Sequence, residues 1–226
     1  ITLARGGSKE VKKKNIKKIN NKPLIWYTIK EALKSKLIDR YIVSTDSREI
    51  KKISIKNGAD VPFLRPKHLA TDKASSVKAL QHAVKFVEQT DGFKYDIIVE
   101  LMCTNPLKKS DDIDKIIKKI INTNADTVIA VHKVEDHHPR RLKKIINDKI
   151  VDFMSEKPES RRQDLKPYAY VRSGSIYAIK RSHLMNESRR YGSKNSRPYV
   201  LSKNRVMNID TKVDFITAES IIKKND

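Results

Sequence analysis

Apolar residues in this chain fall into two kinds of run, short continuous ones and longer ones with helical spacing. Residues 1–4, 40–44, 95–101 and 126–132 are the continuous kind. RYIVS and YDIIVEL are examples, and such runs suit strands buried on both faces. A shorter run at 60–64 predicts one more strand. Between them, residues 23–36, 47–57, 74–89 and 110–122 carry apolar positions at helical spacing. Pro23 opens the first helix, Gly58 closes the second, and Ser110 is the expected N-cap of the fourth. Strands alternating with helices predict an α/β fold, Rossmann-like, with a mostly parallel sheet covered on both faces. The alternation breaks after residue 133. Residues 134–172 are polar and rich in His, Arg and Pro, with short apolar pieces at 142–146 and 150–154. They read as an inserted arm. Strand pattern returns at 174–179, and 213–223 reads as a closing helix. The domain expectation is therefore one α/β unit, residues 1–133 and 173–226, interrupted by the arm at 134–172.

In such sheets ligands bind beyond the carboxyl ends of the strands. The loop after the first strand, LARGGSK, pairs two glycines with Arg5, Ser8 and Lys9. Glycine permits close backbone approach, and the cations supply counter-charge, so the loop points to an anion. No G-x-x-x-x-G-K-[ST] is present, which excludes a Walker loop.

Composition refines this only a little. The formal net charge is +22, from 49 Lys and Arg against 27 Asp and Glu. The lysines are spread along the chain, and aromatics are only 6%. That is thin for a surface that stacks bases, so a nucleic-acid partner is not expected. Attraction of a small anionic substrate uses the same field. No apolar stretch reaches the roughly 20 residues of a membrane span. No signal-peptide pattern opens the chain, and a few residues are expected to precede Ile1. The single cysteine, Cys103, fits a reducing, cytoplasmic setting and reads as a small buried residue.

Taken in order, LARGGSK…KN, NKPLIWYTI, IVSTD, LRP, TDKASS, TNPLK, HHPRR, RRQ…VRSGSIY and NIDT…D resemble the acylneuraminate cytidylyltransferases, from end to end of the chain. These enzymes activate sialic, legionaminic and pseudaminic acids. The resemblance implies a nucleotide-diphospho-sugar-transferase-like fold, transfer of CMP from CTP to the anomeric hydroxyl of an acidic nine-carbon sugar, and release of pyrophosphate. It implies Mg2+ as cofactor and a homodimer whose inserted arm crosses to the partner. By residue, it assigns Arg5, Ser8, Lys9 and Lys14 to the phosphates. It assigns Asn15, Arg65 and Ser76 to the nucleotide. Met102, Thr104, Arg141, Arg172 and Tyr177 fall to the sugar, with Arg172 on its carboxylate, where a planar guanidinium suits two parallel hydrogen bonds. Asp210, Asn208 and Asp214 fall to the metal. Arg5, Lys14 and Asp210 are the expected catalytic residues.

The chain departs from the family pattern at four places. In the opening loop, Glu10 stands where glycine is usual and Lys12 where proline is usual. Asn208 stands where an acidic residue is usual, which removes a charge from the metal region. Met102 stands where glutamine is usual, and a thioether donates no hydrogen bond. A sugar pocket different from that for N-acetylneuraminic acid follows. Four alternatives stay open: a transferase for 3-deoxy-manno-octulosonate, one for a sugar 1-phosphate, a basic nucleic-acid-binding protein, and an inactive relative.

Overall fold

The computed structural model describes residues 1–8, 10–134, 136–155 and 161–225. Its strands are β1 (Thr2–Leu3), β2 (Lys18–Ile19), β3 (Lys22–Pro23), β4 (Val43–Ser44), β5 (Ile97–Leu101), β6 (Thr127–Lys133), β7 (Lys143–Ile146), β8 (Lys149–Asp152), β9 (Tyr170–Lys180) and β10 (Ser196–Val200). Its helices are α1 (Leu24–Lys34), α2 (Arg48–Lys56), α3 (Ser76–Asp91), α4 (Ser110–Thr123), α5 (Arg181–Met185) and α6 (Lys212–Asn225).

The main sheet runs β4, β1, β5, β9, β6, β10. β1 joins β4 in parallel. The Ile1 nitrogen donates to the Val99 carbonyl (2.7 Å) and the Leu101 N–H to the Ile1 carbonyl (3.0 Å), a parallel pattern that stitches β1 to β5. β10 is parallel to β6. β9 is antiparallel to both neighbours, β5 and β6. The sheet is thus mostly parallel with one reversed strand near its middle. The strand expected at 60–64 shrinks to a single parallel bridge, Ile42 to Asp60, on the outer side of β4. Pro62 explains this, because a residue without N–H cannot continue a ladder and is confined to sheet edges.

Helices cover both faces, as the two periodicities require. Val43, Leu101, Val128, Ile176 and Ala178 pack against Ile25 and Ile29 of α1 and Ile113, Ile116 and Ile120 of α4. Ile98, Tyr177 and Ile179, which alternate with them, face Leu80 and Val84 of α3 and Leu184 of α5. A separate cluster seats Phe215, Ala218 and Ile222 of α6 on Ile19, Leu24 and Leu107. Burying an Ile or Leu contributes about 1.5–3 kcal/mol, so these stripes, more than intrinsic propensity, hold the helices.

Several ends differ from expectation. Ser110 is the first residue of α4, not its cap. The cap position is Lys109, whose N–H donates to the Asp112 carboxylate (3.2 Å), while the Ser110 N–H donates to Glu31 (2.9 Å). Ser47 does cap α2, accepting from the Ile50 N–H, and Gly58 follows it at φ +90°. β2 and β3 form a hairpin around Asn20 and Asn21, both at positive φ. Beyond the sheet, β6 and β9 pair as far as Lys133 and Tyr170, and the antiparallel hairpin β7–β8 stands on this extension. Every residue of that hairpin is exposed.

Candidate active site

A cleft of about 500 Å³ opens at the carboxyl ends of β1 and β5. Arg5, Ser8, Lys14, Asn15, Arg65, Ser76, Met102, Thr104 and Asp210 all line it. Residues from six stretches of the chain thus converge where strand order alone would put a ligand.

The opening loop is held from behind. The Gly6 N–H donates to Asp46 (2.8 Å), and the Asn15 side chain donates to the Arg5 carbonyl (3.0 Å). A Cβ on Gly6 would lie 3.1 Å from the Ser47 Cβ, whereas one on Gly7 would meet nothing within 4 Å. Gly6 therefore serves close approach to the start of α2, and its N–H faces a carboxylate instead of the cleft. Asn15 is buried and braces the loop.

Arg65 is buried as well. Its Nε donates to the Ser44 Oγ (3.0 Å), its Nη2 to the Ser44 carbonyl and its Nη1 to the Leu69 carbonyl (3.4 Å). It clamps the 65–69 turn to the end of β4 and floors the cleft with positive charge. Burial lowers its pKa.

Two of the three phosphate-assigned cations each face a carboxylate. Arg5 pairs with Asp72 across the cleft. Lys14 Nζ lies 2.9 Å from Asp210 Oδ1 and donates to the Ile209 carbonyl (3.0 Å). The segment bearing Asp210 is fastened to the loop after β5. The Ile209 N–H donates to the Thr104 carbonyl (2.8 Å) and the Asn105 side chain to the Arg205 carbonyl (2.9 Å). Residues far apart in sequence are in this way fixed around one Lys–Asp pair. Lys9 lies outside the described residues.

The three metal-assigned residues are neighbours with different tasks. Asn208 Nδ2 donates to Asp210 Oδ2 (2.5 Å). Asp214 Oδ2 accepts the N–H groups of Asp210 (2.9 Å) and Thr211 (2.6 Å), and Thr211 Oγ1 accepts from the Asp214 N–H (3.3 Å). That is a capping box on α6, and Asp214 does not line the cleft. Among the described residues, no group of three or more His, Cys, Asp and Glu side chains could hold a metal by itself. A one-carboxylate site suits a cation that takes its remaining ligands from substrate phosphates and water, as magnesium does.

Of the sugar-assigned residues, Met102 and Thr104 line the cleft. Tyr177, Arg172 and Arg141 do not. Tyr177 is buried in the core on the α3 face. Arg172 is exposed on β9 with its guanidinium 4.1 Å from the Tyr191 ring centre. Arg141 is exposed in the Pro139–Arg141 turn of the arm. The adjacent His138 braces that turn, its Nδ1 accepting from the Arg140 N–H (3.3 Å) and its Nε2 contacting the Pro167 carbonyl (3.0 Å). Cys103 is buried, and burial pushes its thiol up to about 12, so it is no nucleophile.

Sequence reasoning missed other cleft residues, among them Asp72, Glu100 and Arg190. Both oxygens of the buried Glu100 lie 3.0 Å from Arg190 Nη1. Alternation along YDIIVEL puts Glu100 on the same face as Ile98, and a carboxylate among such neighbours is itself a signal. Arg190 sits in a polar loop with no periodicity, where only the fold reveals it.

A model of the family described as Cytidylyltransferase matches residues 1–196. A pseudaminic acid cytidylyltransferase from Campylobacter jejuni is 33% identical over 225 residues, covering 100% of this chain and 96% of that protein. A CMP-N,N'-diacetyllegionaminic acid synthase from the same species is 32% identical, covering 97% and 92%. Among solved structures, a CMP:2-keto-3-deoxy-manno-octonic acid synthetase complexed with CTP superposes with a TM-score of 0.76. It is 18% identical, with 100% of this chain and 98% of that one covered.

Proposed function

The chain belongs to the cytidylyltransferase family, and from that premise we propose that it transfers CMP from CTP to the anomeric hydroxyl of an acidic nine-carbon sugar. The observation that carries the reading is the convergence of Arg5, Lys14, Arg65 and Asp210 on one cleft. In the reaction the sugar oxygen bonds to the α-phosphorus, the bond from that phosphorus to the β-bridging oxygen breaks, and pyrophosphate leaves. The hydroxyl proton passes to water. Such displacements are accelerated mainly by positioning and charge neutralisation. The triphosphate exchanges with Asp72 for Arg5 and shares Lys14 with Asp210. Arg65, fixed and buried, lies where the nucleotide enters, and Ser76 opens α3 beside it. Asp210 would hold a magnesium ion, which would supply further charge neutralisation at the phosphates.

The sugar carboxylate docks on Arg172, contributed by a second copy of the chain together with Arg141. Support comes from their place outside their own cleft and from the exposed apolar side chains of the β7–β8 arm, such as Ile145 and Ile150, 78% and 76% accessible. The working assembly is a homodimer, and the setting is the cytoplasm. The likeness in shape to the octonic acid synthetase favours one alternative acceptor, an eight-carbon 3-deoxy acid.

The test is pyrophosphate release from CTP and magnesium with a panel of N-acetylneuraminic, legionaminic, pseudaminic and 3-deoxy-octulosonic acids. Release with a nine-carbon acid is expected. Release with the octulosonic acid alone moves the reading to the alternative. Arg5→Ala is expected to lower kcat/KM for CTP at least 100-fold with an unchanged thermal midpoint, and a loss under tenfold overturns the triphosphate assignment.

A further inference from the structure

Glu100 and Arg190 form a buried ion pair that lines the cleft. Glu100 stands on β5 in a stretch otherwise apolar, with Ile98 and Met102 on the same face. Its side chain is 3% accessible and that of Arg190 15%. Burial pushes the Glu100 carboxyl up and Arg190 draws it back down. A buried pair of this kind adds little to stability over well-packed apolar residues of similar volume. Both side chains line the cleft, beside Met102.

The pair is also held at a set angle. The Arg190 guanidinium lies 5.0 Å from the Tyr177 ring centre and 5.5 Å from that of Tyr191. The two rings are 6.2 Å apart and inclined by 31°. Arg172 lies over Tyr191. Two guanidinium groups and two phenol rings thus form one stack, running from the core at Tyr177 to the exposed Arg172 of the same chain and holding the Arg190 guanidinium between the rings. A guanidinium has five N–H donors and no acceptor, and Nη1 alone serves both Glu100 oxygens.

Glu100 neutralises Arg190, so this end of the cleft presents donors with little net charge. Such a group does not hold a second carboxylate well. It fits an uncharged oxygen that only accepts, which is an amide carbonyl. Met102 offers an apolar surface beside it for an acyl methyl.

Resting on the cytidylyltransferase reading above, we infer that the Glu100–Arg190 pair is the specificity element of the sugar site, with Arg190 donating to the carbonyl of an acylamino substituent. Arg190 contacts substrate. Glu100 is a positioning residue that fixes the guanidinium and cancels its charge. Met102 donates no hydrogen bond, which leaves the polar reading of the substituent to Arg190.

The test compares an N-acylated nine-carbon acid with its analogue bearing a hydroxyl in place of the acylamino group. Removing one partner would strand a buried charge, so both are replaced, as Glu100→Leu with Arg190→Met. Arg190→Lys, which keeps the charge and loses the planar fork, is the second variant. Expected for both variants is a tenfold or greater rise in KM for the acylated acid. KM for CTP should stay within twofold, and the preference for the acylated over the hydroxyl acid should fall at least fivefold. Unchanged sugar KM and preference in either folded variant overturn the inference and leave the pair a packing feature. Absence of turnover by the unaltered chain on every nine-carbon acid overturns the cytidylyltransferase reading of the sugar, and this inference with it.

Discussion

Lys108 is fully buried, its Nζ donating to Thr28 Oγ1 (2.8 Å) and to the Asn105 carbonyl. It anchors the loop that carries Thr104 and, through it, the Asp210 segment. Burial pushes its ammonium down to about 8, against about 10.4 in an unfolded chain. Between these values the unfolded chain holds a proton that the native protein has shed, so the stability due to this group rises with pH across the window. Below about pH 8 both states are charged and the burden is constant, about 3 kcal/mol. Compared with Lys108→Met by urea unfolding, the unaltered chain should gain about 2 kcal/mol or more between pH 7.5 and 10.5. A flat difference would show that the lysine titrates normally. A residue that supports the site is thus also one that titrates in mild alkali.

At the level of elements, α6 shows how a metal motif and a helix start can look alike. The NIDTKVD stretch supplies Asp210 to the cleft and, four residues on, Asp214 to the cap. The N–H groups of Thr211 and Asp210 hold the Asp214 carboxyl below its ordinary value. The cap is fully present above about pH 4 and is lost as pH falls through the depressed native value. Asp214→Ala should lower stability by about 1 kcal/mol in urea titration while the magnesium concentration for half-maximal turnover changes less than twofold. A tenfold rise would return Asp214 to the metal. Spacing could not separate these roles, because a capping box and a pair of ligands both place acidic groups at a helix start. The strands 97–101 and 127–133 and the helices α1 to α4 were legible, since each is long and carries one clear period. β10, SRPYV, was not, being half polar and largely exposed. Nor was the reversal of β9, because an apolar run does not encode direction. The cleft residues on the first loop were legible from their chemistry. The bracing by Asn15, and the Glu100–Arg190 pair, depend on contacts 10 and 90 residues apart.

For the whole molecule, the arm and the sheet are joined by β9, which runs unbroken from Tyr170 to Lys180. Arg172 near one end and Ser175, whose carbonyl accepts the Met102 N–H (2.9 Å), are on one stiff strand. If the arm completes a partner's site, its loss should affect sugar use and spare CTP binding. Ile145 and Ile150 face each other across the β7–β8 hairpin. Replacing both with Asp should convert a dimer to a monomer by light scattering, with turnover down at least tenfold and CTP affinity unchanged. An unaltered chain that is monomeric and active would remove the arm from the reaction. The same strand also governs how the chain can fold. β9 sits between β5 and β6, yet it is made only after both, with the whole arm intervening. Until residue 180 has been synthesised, β5 and β6 each present an open edge to the other across an empty seat. Unpaired edges of this kind invite pairing with other chains, and closing them needs contacts about 80 residues apart in sequence from Ile97 to Lys180. The nascent chain therefore passes through a long interval in which its first half is patterned but cannot close, and the last strand to enter the centre commits the whole sheet at once.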